Sequence, residues 1–405
     1  MIDVIGRYNR SYRWPSLERG ESNRQLPRRG IESVAATIIA IIDSCPSLIA
    51  MQAVVLEEFE EPLTVQDVDR PEPDPDGAVA EVVGCGVCRS DWHCWQGDWD
   101  WFNFRPNPPH VLGHEPTGRI VSTGEDVESV SEDDYVAIPF NFACGTCDRC
   151  RNGRENICDN LTGLGFMNEA PGAFAEEVHI PTADINAIPL PDGIDAETAA
   201  GCGCRFMTSF HAMAHRVPVG AGDDVVIHGC GGIGLSAVHI ANALGANVIG
   251  VDLMDEKLDM AEELGAVATV NASEANDPAK EVVDITDGGA DVSADALGIP
   301  TTCQNAVNSL RKGGTHVQIG LTTSDEAGMV PLPVDDFVAK EVDFKGSLGL
   351  QPSRYSEMLD MIESSKLDPT ALVSETVDIH GVPDELAAMT EYNTVGIPVC
   401  NDFSS

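Results

Sequence analysis

Two spacings of apolar residues divide the chain. In its first half they come in short runs, such as Ala53 to Leu56, Ala78 to Val83 and Ala175 to Ile180. Runs of this length bounded by turn-formers predict strands, and Arg70-Pro71-Glu72-Pro73-Asp74-Pro75-Asp76-Gly77 is dense in turn residues. Pro181, Pro189 and Pro191 punctuate the end of this β-rich region. Beyond residue 204 the period changes. Asp224 to His228 predicts a strand, and the segment opened by Gly229 places Ile233, Val238, Ile240 and Leu244 at helical spacing. The alternation continues with a strand at Val248 to Val251, a helix over 255–264, strands over 267–270 and 291–295, a helix over 301–311, and strands over 315–319 and 342–346. Strands alternating with helices imply a parallel, doubly wound sheet, so the fold class is α/β. An amphipathic helix is predicted over 352–366, after which strand-like segments return.

The 405 residues suffice for two or three domains, each with its own core. Charge is unevenly placed: residues 1–50 carry seven arginines and five acidic residues, whereas residues 51–405 carry 17 basic and 61 acidic ones. With Met51-Gln52-Ala53-Val54-Val55 following this break, translation is expected to begin naturally at Met51, leaving residues 1–50 as a disordered extension or a misassigned start. The apolar run Val34 to Ile42, interrupted by Asp43 and Pro46, is too short to span a bilayer. A net charge of −42 disfavours nucleic acid and anionic membranes as partners. Acidic residues are dispersed and 43% of the chain is hydrophobic, enough to build cores. The thirteen cysteines are closely spaced in a chain too large for a secreted disulfide scaffold, which favours metal binding in a reducing, cytoplasmic compartment.

Between residues 85 and 115, Cys88 as thiolate and His114 as neutral imidazole suit a borderline-soft ion such as zinc, with positions left for a third side chain and a substrate. Either residue alone would more readily be a core residue; their company points to metal. Asp91 is placed to orient a ligating histidine. Ser90 offers a hydroxyl and His93 an imidazole, together a proton path. Trp92, Trp95, Trp99, Trp101, Phe102 and Phe104 lie between the ligands and either line a substrate cleft or pack an irregular loop. Cys144, Cys147, Cys150 and Cys158 have the spacing of a closed tetrahedral zinc site, and disulfides within so tight a loop would be strained. Gly229, Gly231, Gly232, Ile233 and Gly234 belong to a G-x-G-x-x-G between a predicted strand and helix, and Asp252 ends the next strand. That context fits a dinucleotide: glycines admit the pyrophosphate to the helix N-terminus and the acidic residue binds ribose hydroxyls. Asp252 would repel the extra phosphate of NADP, which favours NAD.

The run Gly113-His114-Glu115, with Gly118, Gly124 and Val127, resembles the zinc signature of the zinc-dependent medium-chain alcohol dehydrogenases. The resemblance covers about residues 51–405. It implies a GroES-like catalytic domain over 51–204 and 350–405, with a structural-zinc lobe near 144–158, and a Rossmann domain over 205–349. It puts the third ligand of a catalytic zinc at Cys204, with Thr208 four residues on among the catalytic residues and Cys202 as a rival ligand; the cysteine quartet then makes two zinc ions per chain. Glu115 either touches the metal transiently or stays behind it as a hydrogen-bonded carboxylate. Ser90 accepts the substrate proton and passes it through the cofactor ribose to His93; Lys257 meets the adenosine ribose, Arg89 neutralises the dinucleotide, and Gly320 and Leu321 meet the nicotinamide. One departure is Thr394 to Val399, which lacks the basic residue common there; Arg89 is the candidate replacement. The implied activity is reversible oxidation of a small alcohol to an aldehyde or ketone by hydride transfer to NAD, in a homodimer or homotetramer. A polyol or sugar dehydrogenase of the same superfamily and a non-catalytic dinucleotide-binding protein are the alternatives. The acidic composition resembles that of cytosolic proteins of salt-loving microorganisms, so the fold is expected to loosen in dilute buffer and recover in molar salt, where the Debye length is about 3 Å.

Overall fold

A computed structural model describes residues 50–102, 104–392 and 394–404. The extension expected over residues 1–50 lies outside the described residues except for Ala50, which opens the strand Ala50–Leu56.

The strands Asp224–His228 and Asn247–Asp252 are buried along almost their whole length. A strand covered on both faces has no reason to alternate, and near-continuous apolar runs of this kind build parallel sheets. The spatial order is Ala266–Asn271, Asn247–Asp252, Asp224–His228, Ala290–Asp295, Leu310–Gln318 and Asp343–Gly346, with every neighbouring pair parallel. The chain steps outward from Asp224–His228 on one side and then returns to build the other. The carboxyl ends of Asp224–His228 and Ala290–Asp295 therefore flank a topological switch point, where open α/β sheets form a crevice. The helix Gly232–Ala243 buries Leu235, Val238, Ile240 and Ala241 beside it.

Three differences from the expected elements are local. The helix expected over 301–311 is Pro300–Asn308, started by a proline in its first turn, and Leu310 and Arg311 belong instead to the strand Leu310–Gln318. The buried Ser309 hydroxyl donates to Asn305 O at 2.7 Å and closes the helix there. A further helix, Pro278–Ile285, starts where the Asp277 side chain accepts from Lys280 N. The segment expected as a helix over 352–366 is a 3-10 turn, Pro352–Arg354, leading into the helix Tyr355–Glu363.

The other half is a mainly antiparallel sheet in the order Ile188–Pro189, Tyr135–Ala137, Pro116–Thr123, Ala78–Gly86, Ile397–Asp402 and Val373–Asp378, with Glu177–Ile180 also on Ala78–Gly86. Cys400 stands opposite Cys85 in this sheet, and Val87 N donates to Pro398 O at 2.8 Å. The chain thus comes back to flank the loop that leads into Cys88. No helix among the described residues is long and apolar enough to cross a membrane.

Burial lowers the pKa of several histidines, three of them far below the usual imidazole range. It holds His110 down to about 4 and His228 to about 3, and for His211, also about 3, burial is joined by nearby positive charge. Each is protonated in the unfolded chain below about pH 6.5 but not in the fold, so unfolding takes up protons and stability falls with pH through that window. At about 1.4 kcal/mol per group per pH unit, the three together predict a loss of about 4 kcal/mol per unit between roughly pH 6 and pH 4. Denaturant melts in molar KCl, which screens the carboxylates, should show this slope, reduced by about a third in His228→Gln; a flat profile would contradict it.

Candidate active site

Cys88 is the N-cap of the helix Arg89–Gln96, and Asp91 closes a capping box by accepting from Cys88 N at 3.2 Å. The same fully buried carboxylate accepts from Gly113 N at 3.1 Å and pairs with His114 Nδ1 at 2.8 Å. With Nδ1 donating to Asp91, His114 presents an Nε2 lone pair, and that buried atom has no hydrogen-bond partner. Ligand atoms of Cys88, His114 and Glu115 all lie within 4.8 Å of one another. The Cys204 sulfur reaches Cys88 and lies 4.0 Å from Thr208 Oγ1. Cys202 turns away, with its sulfur 3.7 Å from Thr198 O. Two thiols and an imidazole lone pair that nothing donates to form a donor set that a zinc ion fits.

Arg205, next to Cys204, carries a contact with no local signature in the sequence. Its backbone N donates to Glu115 Oε1 at 3.0 Å, Nε to Oε1 at 3.1 Å, and Nη2 to Oε2 at 2.5 Å. Burial alone would depress the guanidinium; the Glu115 carboxylate outweighs it and raises the pKa. A Cβ on Gly232 would lie 2.4 Å from Arg205 Cδ, so the arginine packs directly behind the glycine-rich turn.

That turn joins Asp224–His228 to Gly232–Ala243. Gly229 has a φ of 91°, and a Cβ on Gly234 would sit 1.8 Å from Gly229 O, so neither position accepts a side chain. A Cβ on Gly231, the helix N-cap, would meet nothing within 4 Å, which leaves the helix N-terminus open to a phosphate. Asp252 accepts from Cys230 N at 2.7 Å and from Leu253 N at 2.8 Å, which fixes the carboxylate beside the turn. Lys257 Nζ donates to Tyr392 O at 3.0 Å, and Arg89 donates to Met389 O while its guanidinium lies 3.5 Å over the Tyr392 ring. These residues and Cys88, Cys204, Ser90, His93 and Thr208 line one cleft of about 1930 Å³. Gly320 and Leu321 line it too.

The aromatic crowd between the ligands divides. Trp99 and Phe104 line the cleft with Phe166, whereas Trp95 packs into the core and donates to Glu61 O at 2.6 Å. His93 stacks near Trp99 at 5.3 Å and binds Asp98 Oδ2 through Nδ1 at 2.7 Å. The four cysteines of the second cluster also lie within 4.8 Å of one another, with Cys147 3.5 Å from Cys150 and 3.7 Å from Cys158. None is bridged, and Asn160 N points at the Cys158 sulfur at 3.3 Å. Four converging unbridged sulfurs fit a closed zinc site.

Residues 74–192 match the family model for the alcohol dehydrogenase GroES-like domain, and residues 232–364 match that for zinc-binding dehydrogenases. Alcohol dehydrogenase TADH from Thermus sp. ATN1 superposes with a TM-score of 0.80 at 28% identity, covering 87% of this chain and 99% of that one. An NAD-dependent alcohol dehydrogenase of Sulfurisphaera tokodaii is 32% identical over 354 residues, 85% of this chain and 98% of that protein. An alcohol dehydrogenase of Geobacillus stearothermophilus is 33% identical over 335 residues, 82% of this chain and 94% of that protein. The chain belongs to the zinc-dependent medium-chain alcohol dehydrogenases. This dehydrogenase is thus an oxidoreductase acting on CH–OH groups, and zinc and NAD are its cofactors. Its GroES-like and Rossmann-type halves account for the two sheets described above.

Proposed function

We propose that this dehydrogenase interconverts an alcohol and its aldehyde or ketone, using NAD in preference to NADP. The observation that carries the reading is the partnerless Nε2 of His114, within 4.8 Å of the Cys88 sulfur, where Cys88 and Cys204 line the cleft that also holds the glycine-rich turn. Cys88, His114 and Cys204 would hold one zinc ion and the cysteine quartet a second, structural one. Bound zinc supplies Lewis acidity toward the substrate oxygen, and bound NAD supplies the hydride acceptor.

The remaining work falls to side chains of the chain itself. Ser90 takes the proton of the alcohol hydroxyl, and His93, steadied by Asp98, carries it to solvent. Trp99, Phe104 and Phe166 keep water from the reacting carbon. Glu115, fully engaged by Arg205, acts from behind the metal site. The unpaired edge of Asp343–Gly346 and the exposed Val334, Val338 and Phe344 suit contact with another copy, giving a homodimer or homotetramer. A reducing cytoplasm suits cysteines that are all unbridged among the described residues.

The test is absorbance at the reduced-nicotinamide band with a panel of alcohols and polyols, in dilute and molar KCl, with light scattering of the same samples. NAD reduction is expected in molar salt, weaker in dilute buffer, from an oligomer. Silence toward every substrate with zinc and NAD bound would leave a dinucleotide-binding protein. Equal rates with NADP would remove Asp252 as the selector, and equal rates at both salt extremes would remove the salt adaptation.

A further inference from the structure

One stretch of the cleft wall is chemically unlike the rest. Arg154, Arg216 and Arg354 all line it, in a region of sequence where acidic residues outnumber basic ones by 61 to 17. They come from three separate places: the loop before the 3-10 turn Glu155–Ile157, the end of the π-helical segment His211–Arg216, and the turn Pro352–Arg354. The chain from Gly346 to Leu348 ties this wall together, since Arg216 Nε donates to Gly346 O at 2.8 Å and Asn156 Nδ2 to Leu348 O at 2.7 Å. Their charge adds to burial in keeping His211 neutral. Carboxylates offset it only in part: Glu357 is shared between His215 at 2.9 Å and Arg354 at 3.8 Å, Asp159 faces Arg149 at 3.6 Å, and Glu155 turns to Ser353 Oγ at 3.1 Å, while neither Arg154 nor Arg216 has a salt-bridge partner among the described residues.

The same stretch holds buried acceptors that nothing satisfies. Asn156 and Gln351 are only 4% and 6% exposed, yet Asn156 Oδ1 and Gln351 Oε1 have no hydrogen-bond partner. The bond from Asn156 Nδ2 to a carbonyl fixes which end of that amide is oxygen. A buried acceptor left unmade costs about 1–3 kcal/mol, so two on one cleft wall call for donors. An ammonium donor would be repelled by three guanidiniums; hydroxyls would not. The guanidiniums in turn call for a carboxylate or phosphate, which they grip in paired bonds.

We propose that this stretch binds a small polyhydroxylated anion, a sugar acid or a polyol phosphate, with its acid group on Arg154, Arg216 and Arg354 and its hydroxyls on Asn156 and Gln351. Binding here is independent of hydride transfer, so it is read without turnover. Calorimetry on the full chain, loaded with zinc and NAD in molar KCl, would titrate gluconate and glycerol 3-phosphate, with acetate and sorbitol as the matched halves. At least one of the two probes is expected to bind about tenfold or more tightly than either half. Binding by gluconate alone assigns a carboxylate, by glycerol 3-phosphate alone a phosphate. The double variant Arg154→Gln/Arg354→Gln should weaken the probe by about tenfold with NAD binding unchanged, and Gln351→Leu should weaken the probe but not acetate. The proposal is overturned if neither probe binds, if acetate binds as well as both, or if both variants bind the probe as the natural chain does.

Discussion

Arg205→Met is expected to cost this dehydrogenase about 3–5 kcal/mol of stability, the usual effect of removing one partner of a buried ion pair. Glu115 is 2% exposed and its carboxylate takes its hydrogen bonds from Arg205, so the substitution removes the guanidinium and leaves a buried charge with only the backbone N of residue 205 as donor. The variant Arg205→Met/Glu115→Leu removes both charges and should recover most of the loss, because the penalty lies in the stranded carboxylate. NAD affinity should stay low in both, since the arginine also packs behind Gly232. Denaturant melts and cofactor titration in molar KCl measure the two effects separately. A cost below about 1 kcal/mol in the single variant would mean that Glu115 is not held as an ion.

Cys88→Ala is expected to lower turnover by about 10³-fold, the kinetic equivalent of about 4 kcal/mol of lost transition-state stabilisation. Zinc content should fall from two ions per chain to one, the remaining ion being that of the cysteine quartet. Ser90→Ala provides the contrast: turnover should fall about 10²-fold with both ions retained, as expected for loss of a proton acceptor alone. Metal analysis alongside initial rates separates the two. A Cys88→Ala protein that keeps two ions and normal rates would end the assignment of the catalytic zinc, and unchanged turnover in Ser90→Ala would remove that residue from the proton path.

Much of the parallel sheet was readable in the chain because burial on both faces leaves an unmistakable apolar run, and Asp224–His228 coincides with its prediction to the residue. Boundaries set by side-chain bonds were not readable: Leu310 and Arg311 continue a helical pattern on paper, but Ser309 ends the helix before them. The site shows the same division. Asp91 sits three residues from Cys88, a spacing that brings its carboxylate onto the helix N-terminus, so its meeting with His114 could be anticipated. Arg205 lies 90 residues from Glu115, and no local period links them. Arg89, the candidate to replace the missing basic residue, donates to Met389 O and stacks on Tyr392, contacts that exist only once the chain has doubled back.

The return of Ile397–Asp402 to the edge of Ala78–Gly86 orders events during synthesis. Every strand of the parallel sheet lies between residues 224 and 346, so a ribosome can release that half to fold while translation proceeds. The half bearing Cys88 and His114 must wait with an open flank until residues 397–402 are made. A stalled or truncated nascent chain would therefore leave the Cys85–Gly86 end of the strand Ala78–Gly86 unpaired on that flank beside Cys88, and chaperone demand should concentrate on this early-made, late-completed half.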